Sequence, residues 1–476
     1  MHLLLIVRQI DNEPQGILLI SSVLKQAGHR TSLVVATEED PLVAVRRLRP
    51  DVVGYTVYTG MHGYYLELNR QIKAEMPVFS IFGGPHPTFF SEMINESGVD
   101  AICIGEGEYA TVDLLNALQA GGDIRHIPNW HVKVDGQVYC NDPRPLLDES
   151  ELDALPFPDR QLLYEAHPAS LRTRIRPIIT GRGCPYDCSF CFNKAYADLY
   201  AGAKRTRQRS PRRVLEEIRS VRDCYGLDFI TFMDDTFILN RKWLREFLPL
   251  YVQEIGIRWW CQVRANLINE DMARMLKEGD CVSVSFGVEA GNDRLRNEIL
   301  NRRMSREQIL RASELLRQNG IAFSTNNMLG LPTGGLSADF ETLDLNIQCR
   351  PAYANVFLFQ PYPKTQLGEL AYQSGFMEGS FDDLSGSVSD DTVVRFSSAA
   401  EKRQIENLQK LFALTVAFPW LRGVTRQLIK LPGNPLFWLI YKVWKGYAMS
   451  RRLFPMHMTA GAYLRSALNY MRIRSQ

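Results

Sequence analysis

Two α/β units followed by a basic helical segment is the fold class this sequence predicts. Three observations predict it. Short apolar runs alternate with helix-length stretches through the first 125 residues, the alternation restarts near residue 171 with six more runs, and past about residue 380 the runs stop. Strands alternating with helices imply βαβ crossovers and parallel sheets covered on both faces. At 476 residues the chain is too long for one core and fits two or three domains. The expected division is 1–125, a doubly wound sheet; 126–170, a hairpin and linker; 171–375, a partial barrel; and 376–476, mainly helical.

The first unit opens with "LLLIV" (3–7), the helical "GILLISSVLKQAGH" (16–29) and "TSLVVA" (31–36). It continues through "DVVGYTV", "VFSIFGG" and "AICIG". In such sheets ligands bind beyond the carboxyl ends of the strands. The residues that follow the runs are therefore the candidates: Arg8 to Gln15, Tyr55 to Gly60, Gly83 to Thr88 and Gly105 to Glu108. No GxGxxG or GxxxxGK[ST] is present, which argues against dinucleotide and P-loop binding. "VKVDGQVY" reads as a hairpin about Asp135 and Gly136, and "LDALPFPDRQLL" as a proline-bearing connector.

The second unit's strands are "RPIIT" (176–180), "FITFM" (229–233), "WWCQVR" (259–264), "VSVSFGV" (282–288), "AFSTNNML" (322–329) and "ANVFLFQ" (354–360). Six βα repeats form a barrel or partial barrel whose working face is again the carboxyl edge.

From residue 401 on, 13 Lys and Arg face 2 Asp and Glu, leaving 42 and 51 for the rest of the chain. A basic tail is attached to an acidic body. Its aromatic and basic residues at helical spacing fit a membrane interface or a helical cap on the barrel; nucleic-acid binding is disfavoured because no recognised module accompanies the charge. No apolar run reaches the ~20 residues of a membrane span. The start reads as a strand rather than a signal peptide, so the expected location is cytoplasmic, with peripheral contact at the inner membrane face.

Of nine cysteines, six are scattered singly, as small core residues usually are in a reducing compartment. Cys184, Cys188 and Cys191 instead crowd into "TGRGCPYDCSFCFN", just after the first strand of the second unit. Thiolates so spaced can converge on a metal centre. Structural zinc wants four ligands, and no second cysteine pair and no His between 169 and 455 supplies them.

The CxxxCxxC spacing after a first barrel strand resembles the radical SAM superfamily. The resemblance implies that the trio ligates a [4Fe-4S] cluster whose fourth iron is left for S-adenosylmethionine (SAM). It extends to Phe190 before the last cysteine, to "MDDT" with Asp234 and Asp235 as acceptors for the SAM ammonium, and to Arg264. It also covers Glu289 in "GVEAGNDRLRNEILNR" and Gly330 in "NMLGLPTG". The first 125 residues resemble the Rossmann-like cobalamin-binding domain of the class B members, which implies contacts to cobalamin from Thr56, Thr59, Gly83, Gly84, Gly105 and Glu106. A D-x-H-x-x-G element is missing, so neither His62 nor His86 is assigned to cobalt.

The family's activity then implies a 5′-deoxyadenosyl radical generated from SAM and methylation of an unactivated carbon of a small or lipid-like substrate. An electron donor such as flavodoxin or ferredoxin is implied with it. Cyclisation or rearrangement with the same cofactors is the first alternative, and a non-catalytic, metal-stabilised binding module is the second.

Overall fold

The computed structural model describes residues 1–379, 381–384 and 391–454. Two compact units are present: Met1–Pro177 with 196–204 and 221–226, and 178–195 with 205–220 and the remainder.

The first unit holds β1 (His2–Val7), β2 (Arg30–Val35), β3 (Val52–Thr56), β4 (Phe79–Gly83), β5 (Ala101–Cys103), β6 (Trp130–Val134) and β7 (Gln137–Cys140). Their order is β2-β1-β3-β4-β5-β6-β7, parallel through β5 and antiparallel beyond. β1 shows why an unbroken apolar run marks a doubly covered strand. Leu3, Leu5 and Val7 enter one core while Leu4 and Ile6 enter the other. Chain order reverses between β1 and β3, the switch point at which such sheets open a crevice.

The hairpin turn places Asp135 at φ 51° and Gly136 at φ 76°, the left-handed pair a two-residue turn requires. Because β6 bonds to β5, the expected boundary at residue 125 falls inside this sheet. The proline-bearing connector is tied to the same unit by buried charge: Arg160 Nε meets Glu13 Oε2 at 3.1 Å, and Tyr164 donates to Glu13 Oε1 at 2.6 Å.

The second large sheet begins with β8 (Ile175–Ile178), whose last residue opens the second unit, followed by a two-residue antiparallel ladder of β9 (Gly181–Arg182) and β10 (Arg207–Gln208). Then come β11 (Phe229–Phe232), β12 (Trp259–Val263), β13 (Cys281–Glu289), β14 (Ala322–Leu329) and β15 (Tyr353–Leu358). The large sheet runs in strict chain order, β15-β14-β13-β12-β11-β8, as a (β/α)6 partial TIM barrel does. All six strands sit where the apolar runs placed them.

Past the barrel, Ala399–Ala417, Arg422–Leu428 and Pro435–Ala448 are helices. Ile405, Leu408 and Phe412 of the first pack with Val356 and Leu358 of β15 and with Phe437 of the third. The helical cap is thus seated on the barrel. The rest of the expected helical region, 455–476, lies outside the described residues, as do 380 and 385–390. Among the described residues no helix is long and apolar enough to cross a membrane.

Candidate functional site

The cysteine loop leaves β8 and is fixed at its root. Thr180 donates its amide to Asp234 Oδ2 at 3.1 Å and its hydroxyl to Oδ1 at 2.7 Å. Asp234, expected as an acceptor for an ammonium, therefore has both oxygens taken up by Thr180, and burial pushes its carboxyl up to about 6. Gly183 follows at φ 85°, where a Cβ would lie 1.9 Å from the Arg205 carbonyl. Only glycine fits this close approach between the loop and the strand beside it.

Further along, neighbouring loops hold the segment from both sides. Ser189 donates its amide to Leu300 O and its hydroxyl to Ile299 O, Asn301 Nδ2 donates to Asp187 O, and Leu367 N donates to Ser189 O. Phe190 packs on an apolar cluster that contains Leu300, Leu331 and Leu367. Cys191 closes the loop, and the helix Phe192–Leu199 starts directly after it.

Charge converges on Cys188. Arg302 Nη1 lies 3.4 Å and Arg264 Nη1 3.7 Å from its Sγ, and Cys188 is buried. Arg302 also donates to Gly287 O at 2.8 Å and stands 3.7 Å from Glu289 Oε1. Arg264 lies 3.8 Å over the Tyr186 ring and donates to the Arg302 carbonyl.

Glu289 ends β13 at φ 63°, a left-handed conformation unusual for a non-glycine residue. A Cβ at Gly287 would fall 1.8 Å from Glu289 Oε1, which explains the glycine two positions before the acid. Burial raises the Glu289 carboxyl, against the opposing pull of Arg302 and Arg264.

Cys184 and Cys191 face a different neighbour. Burial pushes both thiols up, Cys191 to about 11, and the Asp235 carboxylate adds to each. Asp235 keeps exposed surface, yet burial of its carboxyl raises it, and a hydrogen bond from Asn193 opposes that rise. Of the two acids in "MDDT", then, Asp235 is the one with a free edge beside the thiols. Among the described residues no three His, Cys, Asp or Glu side chains converge as they would round a single ion. Three thiols in one loop, with cations at Cys188 and an acid beside Cys184 and Cys191, are the ligand type that the irons of an iron–sulfur cluster take.

Gly330 follows β14 at φ 71° and donates its amide to both oxygens of Asp339, each at 3.2 Å. A Cβ there would meet the Phe396 ring at 2.9 Å. Burial pushes the Asp339 carboxyl up to about 8. The folded chain thus holds a proton that the unfolded chain releases, so this contribution to stability is complete below the ordinary value of 3.8 and is lost as pH rises through about 8. We expect Asp339→Asn to flatten that decline, read as urea midpoints from pH 4 to 8.5. Parallel pH profiles for the parent and the variant would refute it.

In the first unit the predicted residues line the carboxyl edge of the sheet. Thr56 ends β3, and a Cβ on Gly84, at φ 98°, would touch its hydroxyl at 3.0 Å. Gly83 ends β4. Thr88 links two loops, donating to Gly84 O at 2.8 Å and accepting from Gly105 N at 3.1 Å. Glu106 accepts from Leu147 N, so that side chain is engaged with the connector. Thr59 Oγ1 lies 3.3 Å from His86 Nδ1, and His86 stacks on His62 at 4.3 Å. Burial, then repulsion from His62, pushes the His86 imidazole down to about 3, so it is neutral.

Gly105, at φ 81°, would carry a Cβ 1.8 Å from Tyr200 Oη. Gly105→Ala is expected to destabilise the first unit by about 1–3 kcal/mol, with Tyr200→Phe in the same chain restoring part of the loss in thermal melts. No rescue would mean that backbone strain alone sets the cost.

Sequence reasoning missed Arg302, Asn193 and Asp339, and named Thr88 only as the end of the stretch Gly83 to Thr88. Arg302 closes the stretch "GVEAGNDRLRNEILNR", so its signal was present. The others make local contacts that no spacing announces.

Residues 1–115 match the B12 binding domain and residues 178–338 the radical SAM superfamily. An uncharacterised methyltransferase of Pyrococcus horikoshii is 29% identical over 76% of this chain and 79% of its own length. The anaerobic magnesium-protoporphyrin IX monomethyl ester cyclase of Rubrivivax gelatinosus is 27% identical over 74% of this chain and 65% of its own. The hopanoid C-3 methylase of Methylococcus capsulatus is 25% identical over 74% and 68%. Among solved structures, the cobalamin-dependent S-adenosylmethionine radical enzyme OxsB with aqua-cobalamin bound aligns over 99% of this chain and 78% of that one, with a TM-score of 0.69 at 15% identity.

Proposed function

We propose that this chain, which belongs to the cobalamin-binding class of radical SAM enzymes, is a methyltransferase acting on an unactivated carbon of a small or lipid-like substrate. The observation that carries the reading is the three-thiol loop at the barrel mouth, in a chain that also has a B12-binding domain. Methyltransferases from two organisms are among its relatives. When bound, the [4Fe-4S] cluster supplies the electron that cleaves SAM, and cobalamin supplies the methyl group.

The chain's own residues hold and orient. Cys184, Cys188 and Cys191 hold the cluster, with Arg264 and Arg302 balancing thiolate charge at Cys188. Asp235 accepts from the SAM ammonium, and Asp234 keeps the loop root in place through Thr180. Arg264 and Glu289 set the polar wall, Phe190 the apolar one, and Gly330 lets the turn after β14 close without a side chain. In residues 1–125, Thr56, Thr59, Gly83, Gly84 and Gly105 offer backbone and hydroxyl groups to cobalamin, and Glu106 braces its loop. The electron donor is of the flavodoxin or ferredoxin class, and peripheral contact with a membrane belongs to the same reading.

Anaerobically reconstituted protein should be brown, retain corrin, and release 5′-deoxyadenosine with dithionite. Candidate substrates should gain one methylene in mass, with S-adenosylhomocysteine formed alongside. The relation to a cyclase favours a second reading, which predicts 5′-deoxyadenosine without methylated product. A colourless protein that never cleaves SAM would leave only a binding module.

A further inference from the structure

The helix Pro435–Ala448 is apolar on two faces. Phe437, Tyr441 and Ala448 are buried against the neighbouring helices, with the Lys442 side chain buried beside them. On the opposite side Leu436, Leu439, Val443 and Tyr447, spaced three and four apart, stand 59, 44, 57 and 44% exposed. A surface helix normally turns a polar face to water, so a second apolar stripe calls for a second apolar environment.

The stripe does not end with the helix. Trp444 lies 5.6 Å from Tyr447 and 5.5 Å from Phe418, and Phe418 lies 6.5 Å from Trp420, ring centre to ring centre. This aromatic chain joins the helix to the Pro419 turn, where Trp420 is 75% and Val424 48% exposed. Rings from Tyr447 to Trp420 therefore link the striped helix to the turn that precedes Arg422–Leu428.

We propose that this face docks on an anionic lipid bilayer and lies in its interface. From residue 407 to 476 the chain has eleven Lys and Arg and no Asp or Glu. Exposed Arg426 and Lys430 lie in and just beyond Arg422–Leu428, the helix that follows the Pro419 turn. Basic side chains near an anionic leaflet are drawn to it, and Trp and Tyr settle at the headgroup level. A second copy of the chain suits the face less well, because pairing would bring two such acid-free segments together.

This inference deepens the membrane contact of the proposed function and does not depend on methyl transfer. The test is flotation of the full-length protein with vesicles of phosphatidylcholine alone and of phosphatidylcholine with phosphatidylglycerol, without SAM. We expect about tenfold tighter partition onto the anionic vesicles, weakened by added salt. Leu439→Glu with Val443→Glu should remove that binding while 5′-deoxyadenosine release in vesicle-free solution stays at the parent level. Trp420→Ala, on the separate turn, gives the same readout should the double variant fold poorly.

Equal partition onto both vesicle types overturns the proposal, as does unchanged flotation of the variants. So does a drop in oligomeric mass on introducing the glutamates, which would assign the face to self-association. SAM cleavage without flotation would overturn this inference alone; flotation without SAM cleavage would overturn the enzymatic reading alone.

Discussion

Alanine at Cys184, Cys188 or Cys191 is expected to reduce SAM cleavage to background, a loss of more than the ~10–100-fold typical of removing a group one shell out from a metal. A cluster held by three protein thiolates has no spare ligand, so two cannot do the work of three. Iron content and the visible absorption should fall with the activity. The three variants should still differ in the apo-protein. Cys188 receives Arg264 and Arg302, whose charges lose a buried acceptor on truncation, whereas Cys184 and Cys191 lie beside Asp235, an acid that repels their thiolates. Cys188→Ala should therefore lower the apo-protein melting temperature most, and Cys188→Ser should recover part of it by accepting the same donors. The first unit should keep its far-ultraviolet spectrum and its corrin binding throughout. A variant that retains full SAM cleavage would remove that cysteine from the ligand set.

How far the site could be read in advance follows from the range of the forces that build it. Strand positions were legible because each strand buries both faces and so leaves an unbroken apolar run, as "AFSTNNML" and Ala322–Leu329 show. The crowding of the trio in one loop was legible because its spacing is local. Which of Asp234 and Asp235 faces the thiols was not. Adjacent residues in "MDDT" are identical in type, and the choice is made by Thr180, 54 positions earlier. Arg302 was illegible as a partner of Cys188 for the same reason: the pairing spans 114 positions and depends on a left-handed residue, Glu289, that turns the chain after β13. The hairpin at 130–140 was read correctly as a hairpin from Asp135-Gly136, but turn chemistry says nothing of which sheet edge the hairpin joins.

Arg302→Met is expected to cost about 3–5 kcal/mol of stability, the range for breaking a buried ion pair by removing one partner. Arg302 is 8% exposed and serves three acceptors: Cys188 Sγ, Gly287 O and the Glu289 carboxylate. Methionine fills a similar volume and supplies none of these donors, so the buried Glu289 carboxylate loses its nearest cation. Glu289→Gln should cost less, because it removes the charge that Arg302 compensates while leaving Arg302 its carbonyl and thiol partners. The double variant should then be more stable than the sum of the single losses allows, since Arg302→Met no longer strands a charge once residue 289 is neutral.

Arg302→Lys separates charge from geometry. It keeps the cation but cannot reach three acceptors in the planar fork of a guanidinium, so an intermediate loss is expected. A second readout distinguishes electrostatic tuning from packing. Donors to a cluster thiolate favour the reduced, more negative state, so the reconstituted Met variant should show a cluster midpoint shifted to more negative potential, and the Lys variant a smaller shift. If the Met variant melts with the parent and its midpoint does not move, then neither the ion pair with Glu289 nor the contact with Cys188 contributes. The carbonyl of Arg302, which accepts from Arg264 and survives every side-chain substitution, would then be the part of this residue that shapes the site.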